Sequence, residues 1–119
     1  MRVLLVEDHQ DSRDGLANLL RHWGLQVTTA GTLADAMAAL GTGFDAIICD
    51  IGLPDGTGYA VISEAKRLNK NVLGIALSGY SSPDDVEAGR RAGFSYHLSK
   101  PFDCAKIRLL LSLAKPRPA

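Results

Sequence analysis

The stretch Asp45-Ala46-Ile47-Ile48-Cys49-Asp50 constrains the chain more than any other. Ile47, Ile48 and Cys49 lack the polar alternation of a half-solvated strand. Such a run reads as a strand buried on both faces, as found inside a parallel sheet. It ends in one carboxylate, and Ile51-Gly52-Leu53-Pro54-Asp55-Gly56-Thr57-Gly58 follows at once as a loop. In open parallel sheets, ligands bind in the crevice outside the carboxyl ends of the strands. Asp50 is therefore expected at the mouth of that crevice.

Similar punctuation recurs along the chain. Val3-Leu4-Leu5-Val6 reads as the first strand and ends in Glu7-Asp8. Gln26 to Ala30 is a weaker second strand. Val72 to Leu77 is the fourth and stops at Ser78-Gly79. Ser95 to Leu98 is a short fifth, with Lys100-Pro101 just beyond it. Helical spacing fills the gaps. The first helix runs from Asp11 or Ser12 to Trp23, with Leu16, Leu19, Leu20 and Trp23 as its core stripe and Gly24 closing it. Thr32 caps a second helix that reaches Leu40. Tyr59 to Leu68 is the third, with Val61, Ile62, Ala65 and Leu68 inward. Ser82 and Pro83 open a fourth, which ends at Gly93. Asp103 caps the last, which runs to about Ala114, and a tail begins at about residue 115. Strands alternating with helices predict an α/β fold: a doubly wound, five-stranded parallel sheet covered on both faces.

Length suits this reading. The 119 residues are enough for one domain, taken as 1–119, and too few for two. The formal net charge of zero offers no broad attraction to nucleic acid or membrane. No apolar run is long enough to span a bilayer. Met1-Arg2 leads straight into a strand, without a secretory leader pattern. Cys49 and Cys104 are far apart and lack metal-ligand spacing, and Cys49 reads as a small core residue. A reducing, cytoplasmic setting is expected.

The polar groups at the strand ends carry the chemistry. Glu7 and Asp8 follow strand one, Asp50 ends strand three, Ser78 follows strand four and Lys100 follows strand five. In a doubly wound sheet these ends share one edge. Crowded carboxylates raise one another's pKa, and a hard divalent cation relieves that conflict. Mg2+ fits, because it takes one or two carboxylates, waters and a phosphate oxygen. Lys100 adds a positive charge and Ser78 a hydroxyl. Together they could neutralise a transferring phosphoryl group with Asp50 as acceptor.

With these residues placed, the chain resembles the receiver domain of two-component response regulators, from Arg2 to about Leu113. The matching motifs are Leu4 to Asp8, Asp50-Ile51-Gly52-Leu53-Pro54 through Gly58, Leu77-Ser78-Gly79 and Lys100-Pro101-Phe102. The resemblance implies the flavodoxin-like strand order 2-1-3-4-5. It implies that Asp50 takes a phosphoryl group from a phosphohistidine of a sensor kinase or phosphotransfer protein. Asp8, Asp50 and the Gly52 backbone carbonyl would hold Mg2+, with Glu7 acting through water. Lys100 would pair with the Asp50 carboxylate and then with a phosphoryl oxygen. Ser78 would bond another phosphoryl oxygen and, with the residue at position 97, switch the face of helix four, strand five and helix five. The Lys100-Pro101 bond would be cis. The kinase would dock on helix one and the loop after Pro101, through Leu16, Ala17 and Phe102 beside Arg13 and Asp14.

Two departures stand out. The family usually carries Tyr or Phe three residues before the lysine, where this chain has His97. Gly56 stands where many members have methionine. The His97-to-Pro101 run and the glycine-rich loop resemble receivers attached to hybrid sensor kinases, so an output domain or kinase core in a longer chain is an expected partner. Two other readings compete. An aspartyl-phosphate phosphatase normally has a second acid two residues after its nucleophile, and here that residue is Gly52. A phosphorylation-independent docking module would not need Glu7, Asp8, Asp50, Ser78 and Lys100 together. A signalling phosphoacceptor, rather than an enzyme acting on a separate substrate, is the expectation.

Overall fold

Five short strands lie side by side: β1 (Arg2–Val6), β2 (Gln26–Ala30), β3 (Ala46–Asp50), β4 (Leu73–Ser78) and β5 (Tyr96–Ser99). Their order across the sheet is β2-β1-β3-β4-β5, and each neighbouring pair is parallel. This computed structural model describes residues 1–79 and 82–114; the expected tail lies outside them. Among the described residues four α-helices connect the strands, α1 (Gln10–His22), α2 (Leu33–Ala39), α3 (Gly58–Leu68) and α4 (Pro83–Ala92), and α5 (Cys104–Leu111) follows β5. No helix among the described residues is long and apolar enough to cross a membrane.

The period-two alternation of a strand sorts the apolar residues onto two faces. Val3, Leu5, Ala46, Ile48, Ile75 and Leu77 pack with Ala17 and Leu20 of α1 and Ile107 and Leu111 of α5. Leu4, Val6, Ile47, Cys49 and Ala76 pack with Ala36 of α2 and Val61, Ile62 and Ala65 of α3. Ile47 and Ile48 are both fully buried, on opposite faces. The apolar run before Asp50 is thus a central strand, held at both faces by side chains whose truncation costs about 2–5 kcal/mol each. β2 reads weakly because it is an edge strand with most of its residues exposed.

Several boundaries and inward positions shift. α1 begins at Gln10, because the His9 carbonyl already accepts the Arg13 N–H at 2.9 Å. Ala17 joins Leu20 in its core, while Leu16 and Leu19 are half-buried. Leu68 is 49% exposed, not inward. α3 ends there, the chain turns at Asn69, and Val72 takes the core place instead. α5 stops at Leu111, short of Ala114. Ser82 caps α4 in a reciprocal capping box with Asp85.

The loop after Asp50 contains a small antiparallel ladder, Gly52–Leu53 against Gly56–Thr57, that its glycine and proline content hides. Gly58 closes it. A methyl group on Gly58 would collide with the Asp50 carbonyl oxygen and come within 2.9 Å of Cys49 Sγ. Only glycine lets α3 start this close to the strand that carries Asp50.

Candidate functional site

Sheet register builds the site. Val6 pairs with Cys49, so Glu7 and Asp50 stand side by side one residue further on. Asp50 pairs with Leu77, which puts Ser78 one residue beyond it on the next strand. Ser78 pairs with Ser99, and Lys100 donates its backbone N–H to the Ser78 carbonyl at 2.7 Å. The Lys100–Pro101 peptide bond is cis. All the residues expected at the strand ends therefore share one edge.

Lys100 Nζ lies 2.8 Å from Asp50 Oδ1 and 2.9 Å from Glu7 Oε2. The contact to Glu7 adds to the one expected with Asp50. Both carboxylates are only 4% exposed, whereas Asp8 is open to solvent. Glu7 Oε1 also accepts the His9 N–H at 3.0 Å. Arg13 Nη1 donates to the Glu7 carbonyl at 3.0 Å, tying α1 to the end of β1. Cys49 donates its thiol to the Asp50 carbonyl. Burial, then the charges of Asp50 and Glu7, push that thiol far above its ordinary range, so it is a core residue rather than a nucleophile.

Electrostatics at this edge are unbalanced. Burial and then the neighbouring Glu7 push the Asp50 carboxyl up to about 7, against the opposing pull of Lys100. Burial also works against ionised Glu7, but bonds with Asp50, Lys100 and the His9 N–H outweigh it and hold Glu7 below its usual range. One ammonium thus serves two buried acids.

The residues fit a hard divalent cation. Glu7, Asp8 and Asp50 offer carboxylate oxygens that lie within 4.8 Å of one another. Asp50 Oδ1 is buried and, although ion-paired with Lys100, has no aligned hydrogen bond among the described residues. Oxygen donors, crowded negative charge and a carboxylate with spare acceptor capacity are what Mg2+ requires.

The metal-free protein should lose stability as the pH rises through neutrality. A carboxyl whose folded pKa is raised binds its proton more tightly when folded. Its contribution to stability is thus lost as pH rises from about 4, the unfolded value, to about 7. Glu7, with a lowered pKa, acts only below its ordinary value of 4.5. Asp50→Asn should therefore flatten the fall between pH 5 and 8. It should raise stability at pH 8 by about 1–3 kcal/mol, at roughly 1.4 kcal/mol per unit. Urea unfolding at both pH values checks this; an unchanged slope in the variant would contradict it.

His97 lies on β5 with its ring against α4 and its Nδ1 buried. A Cβ at Gly89 would come within 3.8 Å of that nitrogen and 3.7 Å of Phe94. Ala17, expected at a docking surface, is 1% exposed and turned to the sheet, so it cannot touch a partner. Leu16, Leu19, Pro101, Phe102 and Cys104 instead line a groove of about 350 Å3 that reaches Glu7 and Lys100.

Sequence reasoning missed two acids. Asp45 is buried and accepts the Arg2 N–H at 2.8 Å, where β3 starts beside β1; an acid directly before a buried strand was its signal. Asp55 accepts two N–H groups of α2. Nothing local to its loop reveals a partner more than twenty residues away.

Residues 3–112 match the family model described as the response regulator receiver domain. The transcriptional regulatory protein PrrA of Mycobacterium leprae is 38% identical over 107 residues, covering 89% of this chain and 46% of that protein. KdpE, the KDP operon transcriptional regulatory protein of Escherichia coli, is 37% identical over 116 residues, covering 97% of this chain and 51% of KdpE. The chain thus spans about half the length of these relatives. Among solved structures, a CheY-like response regulator receiver domain protein from Methanospirillum hungatei superposes with a TM-score of 0.87 at 25% identity. That match covers 93% of this chain and 90% of the other. Sequence, fold and the acids and lysine at one sheet edge agree: the chain belongs to the receiver domains of two-component response regulators.

Proposed function

We propose that Asp50 is the phosphoacceptor of this receiver and that it works with Mg2+. The observation that carries the reading is the joint placement of Glu7, Asp8, Asp50 and Lys100, with Lys100 2.8 Å from Asp50. An Asp50 oxygen attacks the phosphorus of a phosphohistidine. The P–O bond forms as the P–N bond breaks, and the electron pair leaves with the imidazole, which takes up a proton. Asp8, Asp50 and the Gly52 carbonyl would hold Mg2+, with Glu7 reaching it through water. Bound there, the ion neutralises charge on the phosphoryl oxygens. Lys100 shifts from the carboxylates toward a phosphoryl oxygen, and Ser78 donates its hydroxyl to another. The acceptor is the protein's own side chain, so this is a signalling phosphoacceptor rather than an enzyme with a separate substrate.

The donor is a sensor histidine kinase or a phosphotransfer protein in the cytoplasm, a setting that suits two free cysteines. The output is read from α4, β5 and α5 by an attached or separate domain, and the His97 ring on β5 faces α4 in place of the family's larger ring. The donor docks on the groove between α1 and the start of α5, which opens onto Glu7 and Lys100. Transfer from purified, labelled kinases tests this. Label should reach wild type and not Asp50→Asn. Phe102→Ala and Leu16→Arg should each slow transfer about tenfold, the scale of one good interface contact, while leaving uptake from a small phosphodonor unchanged. Equal slowing with both donors would move docking elsewhere.

A further inference from the structure

The turn of the loop that carries Gly52 stands out from the sheet edge. Gly52, Pro54, Asp55, Gly56 and Thr57 are all exposed. The loop's internal bonding is the two-residue ladder between Gly52–Leu53 and Gly56–Thr57, closed by the Gly58 N–H to the Ile51 carbonyl at 2.7 Å. Its start is tied to β4, where the Leu77 carbonyl accepts the Ile51 N–H at 3.1 Å, and Ile51 and Leu53 pack against the core; its exposed turn is held by α2. Asp55 Oδ1 accepts the Leu33 N–H at 2.7 Å, and Oδ2 accepts the Ala34 N–H at 3.0 Å. These are the first two donors of α2, which the helix itself leaves unsatisfied. Thr32 Oγ1 takes the next, from Asp35, at 3.0 Å. The N–H groups of Leu33 and Ala34 hold the Asp55 carboxyl below its ordinary range.

Packing follows the same line. A Cβ on Gly56 would collide with Leu33 Cδ2, so the Leu33 side chain lies directly against the backbone of the ladder. The tip of Leu33 thus occupies the space that a larger side chain at position 56 would enter, and would have to move to admit one. α2 is in turn fixed near the site. It follows β2 after two residues, and the Ala30 carbonyl at the end of β2 accepts the Glu7 N–H at 3.0 Å.

We infer that Asp55 is a positioning residue: by clamping α2 through both carboxylate oxygens, it sets the ladder and with it the Gly52 carbonyl. This rests on the reading of Gly52 as a metal ligand. A frayed ladder would leave the carbonyl free to rotate, and binding would then have to order it. Mg2+ prefers near-ideal octahedral geometry and is sensitive to such a loss.

Two measurements test the inference. In metal-free protein, amide exchange at Gly52, Leu53, Gly56 and Thr57 should speed about fivefold or more in Asp55→Ala, the scale of a lost helix cap. Calorimetric Mg2+ binding to the same variant should weaken about fivefold. Asp55→Asn keeps one acceptor and should fall between wild type and Asp55→Ala in both. Thr32→Ala removes a cap from the same helix without touching the ladder; it should destabilise α2 yet bind Mg2+ like wild type. Wild-type exchange in the ladder of Asp55→Ala, or equal loss of Mg2+ affinity in Thr32→Ala, would overturn the positioning role. A wild type that binds no Mg2+ would overturn the metal assignment itself, visible before any variant is made.

Discussion

Lys100→Ala should slow phosphoryl uptake at Asp50 by about 10²–10³-fold, the cost of removing one preorganised charge from a transferring group. Among the described residues, Lys100 Nζ is the one ammonium placed between Glu7 and Asp50, 2.9 and 2.8 Å away. Its loss also leaves two buried acids without a counter-charge. Breaking a buried pair by removing one partner is costly, although Lys100 is itself partly solvated, so a destabilisation of about 1–3 kcal/mol is expected at pH 8. The Asp50 carboxyl should titrate higher still, because Lys100 is what pulls it down. Lys100→Arg should restore stability better than uptake, since a guanidinium keeps the charge but changes the geometry. Rapid-mixing uptake from a small phosphodonor and urea unfolding separate the two effects. Uptake within twofold of wild type in Lys100→Ala would exclude a role for the ammonium in the transfer.

Chelating divalent cations should have the second large effect, about 10²–10⁴-fold on the uptake rate. Three carboxylates within reach of one another repel an incoming phosphoryl group. Relieving that repulsion, and the charge of the phosphoryl oxygens, is worth several kcal/mol, at about 1.4 kcal/mol per tenfold. The pH dependence has a definite sign. Mg2+ binds deprotonated ligands and competes with the proton on Asp50. Apparent affinity should therefore fall as pH drops below about 7. Asp50→Asn should remove most of that dependence. Calorimetry between pH 6 and 8 measures it, and an affinity that does not vary with pH would show that Asp50 does not share the metal.

How much of this was legible beforehand depends on locality. Unbroken apolar runs announced the central strands, because burial on both faces forbids polar alternation. Glu7, Asp8, Asp50, Ser78 and Lys100 were legible because each ends or follows a strand, and a parallel sheet brings such ends to one edge. Thr32, Ser82 and Asp103 were legible as caps, since each bonds an N–H two or three residues on. What failed depends on contacts distant in sequence. Helical spacing alone could not tell Ala17 from Leu16, because the size of a side chain does not say which way it faces. Leu68 obeys the inward spacing but falls at the last position of its helix. Asp55 and Gly56 take their meaning from Leu33, and the tie from Lys100 to Glu7 spans 93 residues. The charge balance of the edge, with one ammonium for two buried acids, became visible only with that distance in hand.

Phosphorylation of Asp50 is read most simply from the intact mass of the protein after incubation with a small-molecule phosphodonor and Mg2+, followed by peptide mapping. One added phosphoryl group on Asp50, lost in Asp50→Asn and suppressed by excess chelator, is the predicted result. An adduct that persists in Asp50→Asn would exclude Asp50 as the acceptor, and one that forms in full yield without divalent cation would exclude a role for the metal.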